Sequence, residues 1–342
     1  MVILAPVGWL YGRATDLRNA LYDRGVFRSY DLGARTISVG NLTTGGTGKT
    51  PLVAHIADIL AANGDNVCIL TRGYGRRDEN ERVLVADGTR VLVDAETGGD
   101  EPVELARKLV GKAIIVADAD RVVAAKWAKA KFDVTTFILD DGFQHRRAKR
   151  DLDIVCVDAT KPFRNAKILP EGNLRESLNG LKRADNVVVT GIDQAEDIRA
   201  LQKEIREINP AANIFSARTQ IVRASRLEDF LGRSVGSPDD IPRSAFAFCG
   251  IGNPESFFAS LVGAQIVPVG RRSLRDHYPY NQTDVENIEG EAEAAGAESL
   301  ITTGKDAVKL KNLTFRIPCF VVETEILIDE ADEFRRLIFP SY

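Results

Sequence analysis

Sulfur and imidazole are scarce in this chain: its 342 residues include four cysteines, one methionine and three histidines. Cys68, Cys156, Cys249 and Cys319 stand far apart, each inside an apolar run such as Val67-Cys68-Ile69-Leu70. That spacing fits neither a zinc site nor a disulfide framework and points to buried, reduced thiols in a cytoplasmic protein. No apolar run approaches the ~18 residues of a membrane span. The start Met1-Val2-Ile3-Leu4-Ala5-Pro6 lacks the basic region of a signal peptide, so neither a spanning segment nor export is expected. An excess of one charge is missing too: 45 Lys+Arg against 49 Asp+Glu leave a net charge of -4, which argues against a general nucleic-acid binder. Internal repeats and low-complexity segments are absent. The 44% hydrophobic and 27% charged residues describe an ordinary globular chain, long enough for about two domains.

What is present is phosphate-binding chemistry. The run Thr36-Ile37-Ser38-Val39 reads as a strand, and Leu52, Ile56, Ile59 and Leu60 share one face of a following helix. Between them lies Gly40-Asn41-Leu42-Thr43-Thr44-Gly45-Gly46-Thr47-Gly48-Lys49-Thr50-Pro51. Glycines let backbone amides wrap a polyphosphate, the helix N-terminus adds positive potential, Lys49 can reach the β- and γ-phosphates, and the Thr50 hydroxyl can ligate Mg²⁺. The nucleotide cradle is accordingly placed on Thr43, Thr44, Gly45, Gly46, Thr47, Gly48, Lys49 and Thr50. A strict motif would have glycine where Thr43 stands, so the loop is the Gly-Gly-x-Gly-Lys-Thr variant.

The rest of the chain alternates strands and helices in the manner of a parallel α/β sheet, whose strand ends open on the ligand crevice. Val67–Leu70 runs into Thr71-Arg72-Gly73-Tyr74-Gly75-Arg76-Arg77, a loop suited to anions. Asp100, in Gly99-Asp100-Glu101-Pro102, reads as the cap of a helix from Val103 to Leu109 or as a carboxylate aimed at the crevice. Thr136–Leu139 ends in Asp140-Asp141-Gly142-Phe143-Gln144-His145, the acidic strand end that accompanies a phosphate loop and its Mg²⁺. Arg175, on the loop after Asp153–Asp158, reads as an anion clamp or as a partner of Glu176. Gly232 to Pro242 marks a domain junction. Beyond it come strands at Ala245–Cys249, Ile266–Val269, Ser299–Thr303 and Phe320–Val322. Gly250-x-Gly252 is a tight strand-to-helix turn rather than a dinucleotide fingerprint. His277 beside Asp276 suits proton transfer or orientation of a carboxylate, and His55 reads as structural. Residues from Trp9 to about Arg28 form a helix with Leu10, Ala14, Leu17 and Leu21 along one side, fit equally to pack on the domain or to lie on an anionic membrane.

Together these stretches, with Leu174-Arg175-Glu176, Gly250-Ile251-Gly252-Asn253-Pro254 and Asp276-His277-Tyr278, resemble the tetraacyldisaccharide 4′-kinase family of lipid A synthesis across nearly the whole chain. The resemblance implies a P-loop NTPase-like α/β/α sandwich with a second, smaller α/β/α domain and the nucleotide between them. Residues 1–218 would form the kinase domain, with 1–30 as a membrane-associating helix. Residues 219–327 would close over the cleft, and 328–342 would rejoin the first domain. It further implies transfer of the ATP γ-phosphate to the 4′-hydroxyl of tetraacyldisaccharide 1-phosphate at the cytoplasmic face of the bacterial inner membrane, without an obligate protein partner. By the same resemblance Asp100 is the general base, His277 its partner and Lys49 the neutralising cation. Thr50, Asp140 and Asp141 hold Mg²⁺, and Arg72, Tyr74 and Arg175 meet the substrate. Gly304 departs from the glutamate expected before Lys305-Asp306-Ala307-Val308-Lys309, so no role is carried to that loop. The competing reading is a P-loop ATPase or GTPase switch of the partitioning or metal-insertion type. Against it, Thr44 occupies the place where such ATPases often carry a lysine, and a switch has no need of the Asp100/His277 pair.

Overall fold

The computed structural model describes residues 4–163, 165–232 and 244–339, so the Gly232 to Pro242 junction lies almost wholly outside the described residues. The strands are β1 (Arg35–Gly40), β2 (Val67–Thr71), β3 (Val83–Asp87), β4 (Ala113–Ala117), β5 (Thr136–Asp140), β6 (Leu152–Asp158), β7 (Asn186–Thr190), β8 (Asn213–Arg226), β9 (Ala245–Cys249), β10 (Gly270–Ser273), β11 (Ser299–Thr303) and β12 (Cys319–Ile328). They form one sheet in the order β10-β9-β11-β12-β8-β7-β6-β1-β5-β2-β4-β3. Pairing is parallel except at β3–β4 and at the long β8–β12 ladder, where Ala217 faces Ile328 and Arg226 faces Phe320. That antiparallel ladder joins two parallel groups and leaves one run of strand ends on each side of it. The alternation of apolar strands and amphipathic helices thus gives a P-loop NTPase-like α/β fold with helices on both faces.

β1 sits at a topological switch point, flanked by β5 and β6 rather than by β2, and its carboxyl end opens the crevice such points create. The helix Lys49–Ala62 buries Leu52, Val53, Ile56, Ile59 and Leu60 against the sheet. The helix Ala331–Ile338 adds Phe334 and Ile338 to the same core, with Phe334 edge-on to Phe215 at 5.2 Å and beside His55. His55 is therefore a packed residue, and burial lowers its pKa. All four cysteines are free and buried.

Two local expectations change. The strand expected at Ile266–Val269 begins instead at Gly270, opposite Phe246 of β9, where a Cβ would stand 2.7 Å from the Phe246 ring and only glycine lets the strands pair. Val267 and Val269 are left exposed. The N-terminal helix, Leu4–Asp23, packs through Gly8, Gly12, Thr15 and Asn19, not through its leucines. A Cβ at Gly12 would meet the Ile168 side chain at 2.8 Å, so close approach needs the glycine. Trp9 and Leu10, each 64% exposed, and Leu17 point outward. Among the described residues no helix is long and apolar enough to cross a membrane.

Candidate active site

The carboxyl ends of β2, β5, β6, β7 and β11 and the turn after β9 converge on one cleft of about 960 Å³. Its floor is the glycine loop. Gly45 and Gly48 adopt positive φ, 101° and 75°, and Gly48 immediately precedes the helix that Lys49 begins. A side chain at Gly48 would press on Thr190 at 3.1 Å. Asn41 Nδ2 donates to Thr47 Oγ1 at 2.9 Å, and Thr190 Oγ1 donates to the Thr47 carbonyl at 3.0 Å, so the loop is braced from both sides. Thr44 through Thr50 line the cleft. Thr43, expected among them, is buried in a bridge with Leu174 instead. That bridge has a use: with Arg175 N–H donating to the Leu42 carbonyl at 2.8 Å, it lays the Leu174–Arg175 segment along the glycine loop.

Arg175 consequently reaches Asp141 rather than Glu176, with Nη1 2.5 Å from Oδ2, while Lys49 Nζ lies 3.4 Å from Oδ1. Asp141 has a left-handed backbone, φ 52°, at the end of β5. Burial disfavours its charge, but Lys49 and Arg175 outweigh burial and hold the carboxyl far below the usual range. Asp140 behaves oppositely. Burial, with Glu101 and Asp141 nearby, pushes it up to about 6 against the pull of Lys49 and the Thr71 hydroxyl, which donates to Oδ2 at 3.1 Å. Glu176 is a structural hub: wholly buried, it accepts from both Arg183 Nη atoms at 2.9 Å, from Gln144 at 2.9 Å and from Asn19 at 2.6 Å.

On the opposite wall Gly99, not Asp100, precedes the helix Asp100–Lys108. Asp100 is its first residue, which frees the side chain to meet His277 Nδ1, 2.8 Å from Oδ2 and 3.0 Å from Oδ1. His277 has φ 57°, a conformation rare for a non-glycine residue and costly to hold, fixed here by N–H bonds to Asp276 Oδ1 and the Gly250 carbonyl. The Tyr74 ring meets the imidazole edge-on at 5.4 Å, and Arg72 lines the same wall. The other arginines of that loop serve structure: Arg76 bonds the Ala117 and Glu79 carbonyls, and Arg77 pairs with Glu96.

Lys305 was not singled out by the sequence, yet its Nζ sits 2.9 Å from Glu101, 2.9 Å from Asp276 and 3.3 Å from His277 Nε2. A cation at Nε2 requires that nitrogen to accept, which assigns the proton to Nδ1 and its hydrogen bond to Asp100. For Asp100, burial opposes charge, but the His277 bond and Lys305 prevail and lower the pKa. The same bond raises that of His277 against burial and Lys305. Beside this loop, the space a side chain at Gly304 would enter is occupied by Glu104, whose Oε1 would lie 2.9 Å from such a Cβ. Burial pushes Glu104 up to about 7. The basic strand-end loop at Lys305 was visible in the sequence. That its lysine reaches back across the cleft was not.

Residues 1–340 match the model of the family described as tetraacyldisaccharide-1-P 4′-kinase. A tetraacyldisaccharide 4′-kinase from Desulfotalea psychrophila is 38% identical over 99% of this chain and 97% of its own. One from Geobacter metallireducens is 39% identical over 93% and 90%. The crystal structure of LpxK from Aquifex aeolicus in complex with ATP superposes with a TM-score of 0.76 at 30% identity, covering 97% of this chain and 96% of that one. The chain belongs to the tetraacyldisaccharide-1-P 4′-kinase family.

Proposed function

We propose that this protein is the kinase that moves the γ-phosphate of ATP to the 4′-hydroxyl of tetraacyldisaccharide 1-phosphate in lipid A biosynthesis. The observation that carries the reading is the meeting, in one cleft, of a lysine-bearing glycine loop with a carboxylate–imidazole pair from two different walls, 2.8 Å apart. A hydrolytic switch needs only the first of these. The triphosphate lies on the amides of Thr44 to Thr50, with Lys49 and Arg175 turning from Asp141 to the phosphates. Asp100 takes the proton as the 4′-oxygen attacks, and His277 Nδ1–H steadies the carboxylate. A weak base suffices because the transition state of phosphoryl transfer is loose and demands positioning and charge stabilisation above all. Lys305 anchors His277 and the acidic residues around it.

The donor set fits Mg²⁺. Thr50, Asp140 and Asp141 offer only oxygen, and Asp141 Oδ1 is buried, makes no hydrogen bond and has Lys49 Nζ at 3.4 Å. Held there, Mg²⁺ supplies neutralisation of the phosphoryl charge. Arg72 and Tyr74, on the open side near Asp100 and His277, take the sugar and its phosphate.

We further read the N-terminal helix as a peripheral contact with the cytoplasmic face of the inner membrane. Its inward stripe is small and polar, its exposed side carries Trp9, Leu10 and Leu17, and its Tyr11, Thr15 and Arg18 line the cleft. An acylated substrate held at the bilayer is thereby presented to the site. Residues 1–218 with 328–342 and residues 219–327 act as two bodies hinged on β8 and β12. The test is transfer of label from γ-labelled ATP to detergent-dispersed tetraacyldisaccharide 1-phosphate, with Lys49→Ala and Asp100→Ala alongside. ATP consumption without lipid labelling, in an assay validated by an active relative, would overturn the proposal in favour of the switch.

A further inference from the structure

The turn that follows β9 sits directly on the glycine loop, and its side-chain choice there sacrifices local helix stability. Asn253 immediately precedes the helix Pro254–Gly263, a position where asparagine ordinarily caps the first-turn amides. It makes no such cap. Its Nδ2 instead donates to Asp158 Oδ2 at 3.0 Å, at the end of β6, with both residues buried. Asp158 is prepared for this partner, because its Oδ1 is already taken by the Thr160 backbone at 2.9 Å and hydroxyl at 2.7 Å. One residue earlier, a Cβ at Gly252 would lie 2.8 Å from the Gly46 nitrogen, so only glycine allows the turn to seat this closely. At its other end the turn holds the reaction centre, since the Gly250 carbonyl accepts from His277 N–H at 3.2 Å. The Gly250 N–H in turn is fixed by the buried Asp306 at 3.0 Å.

We propose that Asn253 is a positioning residue for phosphoryl transfer: its amide on Asp158 seats the turn against the glycine loop and thereby sets His277 on Asp100. This rests on the kinase reading. The two halves are joined covalently only through the β8–β12 region, and the His277–Asp100 and Lys305–Glu101 contacts both lie at one end of the cleft. Asn253–Asp158 pins the other.

The experiment compares the wild type with Asn253→Asp, Gly252→Ala and the exchange Asp158→Asn/Asn253→Asp. The exchange restores one amide donor against one carboxylate and still leaves an oxygen for Thr160. Asn253→Asp sets two buried carboxylates together and Gly252→Ala wedges the turn off the glycine loop, so each lowers kcat about tenfold or more. KM for ATP stays within about threefold in Asn253→Asp, whose partner Asp158 lies outside the phosphate loop, and rises in Gly252→Ala, whose new methyl presses on the Gly46 amide. The exchange recovers kcat to within about threefold of wild type. The His277 imidazole, followed by NMR without any substrate, titrates at lower pH in the single variants and returns in the exchange. An Asn253→Asp protein with near-wild-type kcat and an unmoved His277 titration overturns the proposal, as does a folded exchange variant no better than the single one. A wild type that never labels lipid defeats the kinase reading instead, and the His277 titration still decides whether Asn253 positions it.

Discussion

Asp100→Asn removes a charge and little else. The amide has nearly the carboxylate's volume and its oxygen still accepts from His277 Nδ1, so the contact between the two walls survives. What disappears is the proton acceptor that the proposed transfer requires. In the wild type the carboxyl is 6% exposed and lies 2.8 Å from His277 Nδ1, with Lys309 Nζ at 3.7 Å. Burial works against its charge, yet the His277 bond and Lys305 hold the pKa below the ordinary value, so at neutral pH it is ionised and ready to accept. Loss of a positioned general base costs about 10²- to 10⁴-fold in kcat, or about 3 to 5 kcal/mol in the barrier. KM for ATP should barely change, because Lys49, Thr50 and the loop amides lie on the opposite wall. Initial rates of label transfer at varied ATP, with circular dichroism to confirm folding, read both quantities. A loss smaller than about fivefold, or a higher KM with kcat preserved, would show that Asp100 binds substrate rather than accepting its proton.

Three other outcomes follow from particular contacts. NMR titration of the three histidines should place His277 above the ordinary value, His55 below it and His145, lowered by partial burial and by Arg121, near about 4. Since the folded pKa of His277 is raised, its contribution to stability is full below the unfolded value and fades as pH rises through the folded one, and Asp100→Asn should remove that dependence. Glu176→Ala strips three partners and leaves Arg183, its side chain only 18% exposed, without its carboxylate, so urea unfolding should show a loss of about 3 kcal/mol. A loss under about 1 kcal/mol would mean that water replaces the carboxylate there. Replacing Trp9 and Leu10 together by aspartate, at side chains already exposed, should leave the melting temperature unchanged and weaken sedimentation with anionic vesicles. Unchanged sedimentation would remove the membrane role of this helix.

Much of this site was legible because its chemistry is contiguous. Gly45 to Thr50 follow one strand and open one helix, and Asp140-Asp141 end another strand, so the short-range periods that mark strands and helices place both at the crevice without knowledge of the tertiary fold. What could not be read depends on contacts between distant residues. Nothing near Lys305 announces that it reaches Glu101, and nothing near Glu176 that Arg183 rather than Arg175 is its partner. β8 runs to Arg226, yet beyond Ala217 its alternation is hidden, because polar Thr219 takes a half-buried position while Val222, 47% exposed, takes an outward one. The N-terminal helix misled differently. Its leucines draw the eye to an apolar stripe, while Gly8 and Gly12 make the actual contact through the absence of side chains.

The two neighbouring aspartates carry a last consequence. Lys49 and Arg175 both engage Asp141, and Asp140 sits beside them with its pKa raised by burial to about 6. A triphosphate on the glycine loop draws those two cations toward itself and strips Asp141 of the charges that outweighed its burial. The cluster would then be left with two buried carboxylates and added phosphate charge, which a divalent cation on the proposed ligands Thr50, Asp140 and Asp141 would relieve. Nucleotide and Mg²⁺ should therefore bind cooperatively beyond the affinity they have for each other in solution. Calorimetric titration of ATP and of Mg·ATP, corrected for the solution complex, measures that coupling directly, and 1 to 3 kcal/mol is its usual range. Asp141→Asn removes the charge that pairs with Lys49 and Arg175. It should tighten metal-free ATP and shrink the coupling, because phosphate no longer has to compete with a carboxylate for the same cations. If the variant bound metal-free ATP more weakly, Asp141 would be holding the loop in shape rather than holding its cations in reserve.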